Sequence, residues 1–390
     1  SLLITHYSFS AIFTFTLFIT LTNTNMSFLK NFITKKKEPA NTYTEFWGWL
    51  AKNEKKFYNV IKSRGDFEKV FFTPLSDQLA RIKDGFFYLA GIYNETTVEL
   101  IITADGFIKN IVFAEEIIDA APVINGWRFT ALKPAIDIQN MGIQMGDNVF
   151  NKDNLFFYAN EIQDYPDEID ITMVHADYTE ANKDVITNGT FIFLDNYLGE
   201  LNFASTIDNL VVTGKDKAIA DQVPVEKLMD FLKWRQKEFL EKYEDVRHNT
   251  ENDNYSVLKA DLPNGDKLIA TINTDILTWE NKASHPWIAN VEIKFQPTDN
   301  DGMPDQPTYL LLNEIEDDIN AELKDEDGYL NIGRQTVNGT REIYFACREF
   351  RKPSKVLFAA GKKYEQKLNF TYDIYKDKYW RSFDRFKNNS

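Results

Sequence analysis

The chain has 390 residues, 43% of them hydrophobic and 26% charged, the composition of a folded chain rather than a disordered one. Lys and Arg number 44 against 59 Asp and Glu, and the resulting net charge of −15 argues against a general nucleic-acid binder, because phosphate neutralisation needs a clustered cationic face. One cysteine excludes a disulfide scaffold and a Cys-based zinc cluster.

Residues 1–25 contain no Lys, Arg, Asp or Glu, and the Thr-rich apolar run from Ser8 to Leu21 is shorter than the ~20 residues a spanning helix needs. It also lacks the positive leader of a secretory signal. We read 1–25 as an upstream segment foreign to the native protein. The rival reading is a membrane anchor flanked by Lys35, Lys36 and Lys37. Under either, the bulk of the chain is expected in the cytoplasm, with no stable membrane insertion.

Phe46, Leu50, Phe57 and Ile61 recur at helical spacing and predict a helix over 44–62, stopped by Gly65. Extended patterns follow at 86–93, 98–103 and 108–113, then a short helix at 115–121 and a strand at 127–132, which reads as an antiparallel sheet carrying one helix. A second unit has strands at 155–160 and 168–175, a helix at 190–201 and a closing strand at 210–213. Pro224 opens the longest helix, 225–246, and the polar run 248–254 after it marks a domain boundary. The expected domains are therefore 26–247 and 255–390.

In the second domain a hairpin spans 255–273 and a strand spans 287–296. A helix from Pro307 to Leu323 turns Leu312, Ile315, Ile319 and Leu323 inward, and Glu314, Glu316, Asp317, Asp318 and Glu322 mostly outward. A hairpin across Asn338-Gly339 joins 329–337 to 340–349, followed by a helix at 355–364 and a strand at 367–375. The predicted class is α+β, antiparallel sheets with helices packed on one face. The C-terminal domain follows the ferredoxin-like split β-α-β order with an extra leading hairpin.

Several features here are similar to a known family. They are Pro286-Trp287 ahead of the VEIKF strand, Glu316-Asp317, Gly333-Arg334-Gln335-Thr336, Asn338-Gly339-Thr340-Arg341-Glu342, and Tyr379-Trp380 with Phe383 and Phe386. Over roughly residues 255–387 the chain resembles the bacterial family called domain of unknown function 695, a length typical of one domain. The stretches Ala120 to Pro134 and Leu194 to Glu200 look like the region that often accompanies that domain. The resemblance implies a fold and a bacterial intracellular setting, and carries over no catalytic residue.

The best-defined candidate chemistry lies on the Asn338-Gly339 hairpin. A two-residue turn sets Thr336 opposite Arg341, Arg334 opposite Ile343 and Ile332 opposite Phe345, so an apolar sheet face becomes cationic toward the turn. Arg334, Arg341 and Thr336 are thus candidates to clamp a carboxylate or phosphate. The bland alternative pairs the arginines with Glu316 or Asp317 on the covering helix. Glu314, Asp317 and Asp318 lie close together on that helix, an arrangement more often simply solvated than cation-binding. Neither Gly302 nor Gly328 sits in an EF-hand frame, since the first and twelfth positions lack ligands. Cys347 reads as a buried structural thiol, the four histidines form no metal spacing, and we expect no metal and no cofactor. The C-terminal YWRSFDRF segment reads as a short helix closing the last core. With no catalytic constellation, the favoured function is a non-enzymatic module whose acidic surface binds a basic protein partner. The alternative is a small-anion-binding module or enzyme at the arginine rim. The oligomeric state is open.

Overall fold

A computed structural model describes residues 42–262, 265–297 and 301–387, so the apolar run of 1–25 and the residue Asn264 of the first hairpin's turn lie outside the described residues. The described residues fall into two compact units, 42–159 with 171–230, and 160–170 with 231–387.

In the first unit, helix α1 (Tyr43–Ser63) opens with a capping box between Thr42 and Glu45. It buries Phe46, Trp47, Leu50, Phe57 and Ile61, the predicted stripe with Trp47 beside it. Helix α2 (Thr73–Ile82) then leads into strands β1 (Phe87–Ile92) and β2 (Val98–Thr103), helix α3 (Ile108–Asp119) and strand β3 (Trp127–Ala131). Two expectations fail here. The segment 108–113 is helical, because Ile111, Val112, Ala114 and Ile117 bury one face of a single helix running through it; an apolar run this dense does not reveal its period. As a consequence α3 is a crossover, and β2 pairs with β3 in parallel rather than antiparallel. A short hairpin follows, β4 (Ile143–Met145) with β5 (Asn148–Phe150), then strands β6 (Leu155–Asn160) and β7 (Asp170–His175). The predicted helix at 190–201 is two helices, α4 (Lys183–Leu198) and α5 (Glu200–Thr206), broken at Gly199. Strand β8 (Asn209–Gly214) and the two-residue β9 (Val223–Pro224) complete a four-stranded sheet ordered β8-β7-β6-β9.

Helix α6 (Leu228–Tyr243) carries the division between the units, which falls after Asp230 and not in the polar run 248–254. The end of α6 is fixed within the second unit. Asp167 accepts hydrogen bonds from Lys242 Nζ (2.8 Å) and Tyr243 Oη (2.8 Å), and Arg348 donates to the carbonyls of Tyr243 and Val246.

The second unit is built on strands β10 (Tyr255–Asp261) and β11 (Lys267–Asn273), helix α7 (Thr274–Thr278), strand β12 (Trp287–Lys294), helix α8 (Gln306–Glu322), strands β13 (Tyr329–Val337) and β14 (Thr340–Cys347), helix α9 (Arg351–Tyr364) and strand β15 (Asn369–Lys376). Its six strands run in the order β10-β11-β13-β14-β12-β15, each antiparallel to its neighbours. Helices α8 and α9 lie over one face, with α8 reached from β13 by Asn331 and α9 from β15 by Tyr372, whose hydroxyl donates to Ser354 O (3.2 Å). The opposite face is covered as well, which corrects the expectation of helices on one face only. Trp380, Phe383 and Phe386, at and within the 3-10 turn Arg381–Phe386, pack with Ile276 and Leu277 of α7 against Ile272, Ile288, Leu330, Ile332 and Tyr344.

Candidate functional site

The hairpin register sets Thr336 opposite Arg341 and Arg334 opposite Ile343, as the two-residue turn requires. It departs from expectation at Ile332. A bulge there places Asn331, not Ile332, opposite Phe345, and sends Ile332 into the core on the other face. Gly333 makes the bulge feasible. Its φ of 136° is one that L side chains rarely adopt, and a Cβ would stand 2.3 Å from Thr271 O. The polar face below α8 therefore consists of Asn331, Arg334, Thr336 and Arg341.

Both arginines are engaged by the protein. Arg334 donates to Glu316 Oε2 at 2.6 Å, and that carboxylate is buried against the sheet. The helical spacing that turns Leu312, Ile315 and Ile319 inward also brings Glu316 in, contrary to its expected outward position. Asn331 Nδ2 donates to the other Glu316 oxygen (3.3 Å) and to Asn320 Oδ1 (3.0 Å). Arg341, only 4% exposed, donates Nε–H to Thr336 Oγ1 (3.1 Å) and Nη1–H to Asn313 Oδ1 (3.0 Å), and its guanidinium lies 5.4 Å from the Tyr309 ring centre. Burial, reinforced by the neighbouring Arg334 charge, lowers its pKa to about 10. Of the two expected partners, Glu316 takes Arg334, while Asp317 is exposed on the outer side of α8. Glu314 and Asp318 face α9 instead: the Tyr364 hydroxyl donates to Asp318 (2.5 Å) with a Glu314 oxygen 3.1 Å away, and Lys363 pairs with Asp318.

A polar centre in the first unit escaped the sequence reading. Glu200, fully buried at the start of α5, accepts hydrogen bonds from Thr103 Oγ1 and from the backbone N–H groups of Ala104, Gly106 and Lys133, the last three at 3.0 Å. Lys133 Nζ pairs with Asp195 (2.7 Å) and Asp105 (3.1 Å). Burial alone would lower the lysine's pKa, but the combined pull of these carboxylates raises it, which favours the charged ammonium. Burial outweighs the lysine at Asp195, whose pKa is raised. The chain approaches itself closely here, since a Cβ on Gly199 would stand 2.8 Å from Ala135 N. The segments ALKPA and LDNYLGE, which the sequence left apart, thus form one ion cluster.

Cys347 is fully buried and burial pushes its thiol pKa well up, as suits an inert side chain. His175 bonds to Val149 O through Nε2 (2.9 Å), and His248 pairs with Asp253 (2.8 Å). His285 is fully buried with Nε2 unpartnered. Among the described residues no group of His, Cys, Asp and Glu has the geometry to hold a metal ion, and no helix is long and apolar enough to cross a membrane.

Residues 261–386 match the family of unknown function DUF695. No curated protein and no solved structure matches the chain.

Proposed function

We propose that this chain is a non-enzymatic protein-binding or regulatory module, active in the bacterial cytoplasm, whose acidic surface takes a basic protein partner. The observation that carries the reading is the internal engagement of the two arginines. Arg334 is bonded through Nη1 to Glu316, and Arg341 is buried beneath α8 on Thr336 and Asn313, so both anion-binding candidates already hold partners inside the protein. The chain carries a net charge of −15, which favours basic partners and speeds their encounter. The bacterial, cytoplasmic setting rests on the family resemblance of the C-terminal residues. For the same region a ferredoxin-like reading is supported by the order β13-β14-β12-β15 within the sheet, the arrangement of a split β-α-β unit extended by the β10–β11 hairpin.

The test is affinity capture from the native host with the full chain as bait. A stoichiometric basic protein, released as salt rises, is the expected result; an empty capture contradicts the reading. The rival, an anion-binding module at the rim, has an anion compete with Glu316 for Arg334 or bind beside it, and an anion that stabilises the fold would favour it.

A further inference from the structure

Strand β10 is an edge of the six-stranded sheet, paired only with β11 among the described residues. The bonds flanking it fix which backbone groups face outward. Thr274 N–H donates to Asn254 O at one end, and Leu262 N–H donates to Asp266 O at the other. In an antiparallel ladder, bonded and non-bonded positions alternate. Residues 256, 258 and 260 therefore turn N–H and C=O toward β11, while Tyr255, Val257, Lys259 and Asp261 turn theirs to the open edge. The register Val257–Thr271–Arg334 places the same four side chains on the α8 side of the sheet. There Val257 is 62% exposed and Tyr255 47% exposed, with Lys259 and Asp261 exposed beyond them.

This edge lacks most of the devices that discourage pairing. It has no proline, no bulge within β10, and one lysine. Its surroundings are acidic. Asp261 and Asp266 stand at its far end. At its near end Tyr255 borders a cavity of about 540 Å³ lined also by Lys324, Asp325 and Glu326, with Glu251 exposed four residues earlier in the chain.

We propose that β10 is a docking edge that adds an extended segment of a basic protein partner as a seventh strand, with apolar residues over Tyr255 and Val257 and cationic residues toward Asp261 and the Asp325–Glu326 corner. Main-chain bonds supply the pairing, and charge and the two apolar contacts supply selectivity. The proposal deepens the protein-binding reading and rests on it.

The probe is a fluorescent peptide, Lys-Thr-Val-Thr-Val-Thr-Lys, titrated into the full chain by anisotropy. Its glutamate counterpart and a version N-methylated at the pairing amides serve as comparisons. The lysine peptide is expected to bind, more weakly as salt rises. The glutamate peptide is expected not to bind, and N-methylation should weaken binding about tenfold or more. In the chain, Val257→Pro removes one outward N–H without touching the β11 ladder, a position where an edge tolerates proline, and should weaken binding likewise. Should that variant melt early, the methylated peptide on the unaltered chain decides alone. Equal binding of the methylated peptide, or no binding of the lysine peptide, overturns the proposal. So does self-association of the chain that Val257→Pro abolishes, which would assign the edge to a second copy. Capture of the same basic partner by wild type and Val257→Pro alike would remove the docking edge while leaving the protein-binding reading standing.

Discussion

His285 offers a quantitative test of the packing beneath the C-terminal aromatic cluster. The Ser284 hydroxyl has one hydrogen, which it donates to Asn281 O across an Oγ···O distance of 2.6 Å. Its contact with His285 Nδ1 at 2.8 Å then requires the imidazole to carry its proton on Nδ1 and donate to Ser284 Oγ. Nε2 is left as a bare acceptor with no partner, and the imidazole ring centre lies 5.5 Å from that of Trp279. Protonation would place an N–H in the core with nothing to receive it. Burial, with the Arg247 charge second, lowers the pKa from 6.5 to about 3. Because the folded pKa lies below the unfolded one, the unfolded chain binds the proton first. The neutral ring's contribution is intact above pH 6.5 and is lost as pH falls toward 3. At 1.36 kcal/mol per unit, the loss at pH 5 is about 2 kcal/mol. His285→Asn keeps the amide donor to Ser284 and removes the titration. Denaturant unfolding of wild type and variant at pH 7.5 and pH 5 should differ in pH dependence by that amount, and the wild-type imidazole resonance should not titrate above about pH 4. Parallel pH profiles, or a resonance titrating near 6.5, would refute the reasoning.

Four further outcomes follow from the two polar centres. Glu316→Ala leaves Arg334 and the buried Arg341 without their carboxylate, and should cost about 3–5 kcal/mol by denaturant unfolding, whereas Arg341→Met, which removes a poorly compensated charge, should fall within about 1 kcal/mol of wild type. Glu200→Gln turns an amide donor toward groups that are themselves donors, and should lower stability by about 1–3 kcal/mol with loss of Tm. Gly199→Ala meets both a φ of 79° and the Ala135 backbone, and should cost about 1–3 kcal/mol in the same assay.

Legibility from sequence followed the range of the interaction. The hairpin across Asn338-Gly339 was readable because a two-residue turn fixes its own register locally, and α8 because Leu312, Ile315 and Ile319 repeat at helical spacing. The bulge at Ile332 had a local signal that went unused, an isolated glycine at 333 inside a strand, and with it Asn331 would have been placed beside Arg334. Glu316 was legible as an arginine partner but not as a buried group, since a carboxylate breaks the apolar stripe and its burial is explained only by Arg334, 18 residues on. The Glu200 centre joins positions 67 to 97 residues apart, through backbone donors that leave no trace in side-chain pattern. The strand expected at 108–113 failed because a densely apolar run conceals its period until a neighbour selects a face.

The functional reading turns on Arg334 and Arg341 being taken up inside the fold, and the most direct measurement is a thermal-shift screen of the full chain against inorganic phosphate, carboxylate metabolites and nucleotides. Binding at a hundredfold excess over Kd would raise stability by roughly 2.7 kcal/mol, a displacement readily seen in Tm. No such displacement is expected for any anion, in wild type or in Arg334→Met. A clear rise in Tm that vanishes in Arg334→Met would contradict that expectation and return the hairpin rim to the status of an anion site.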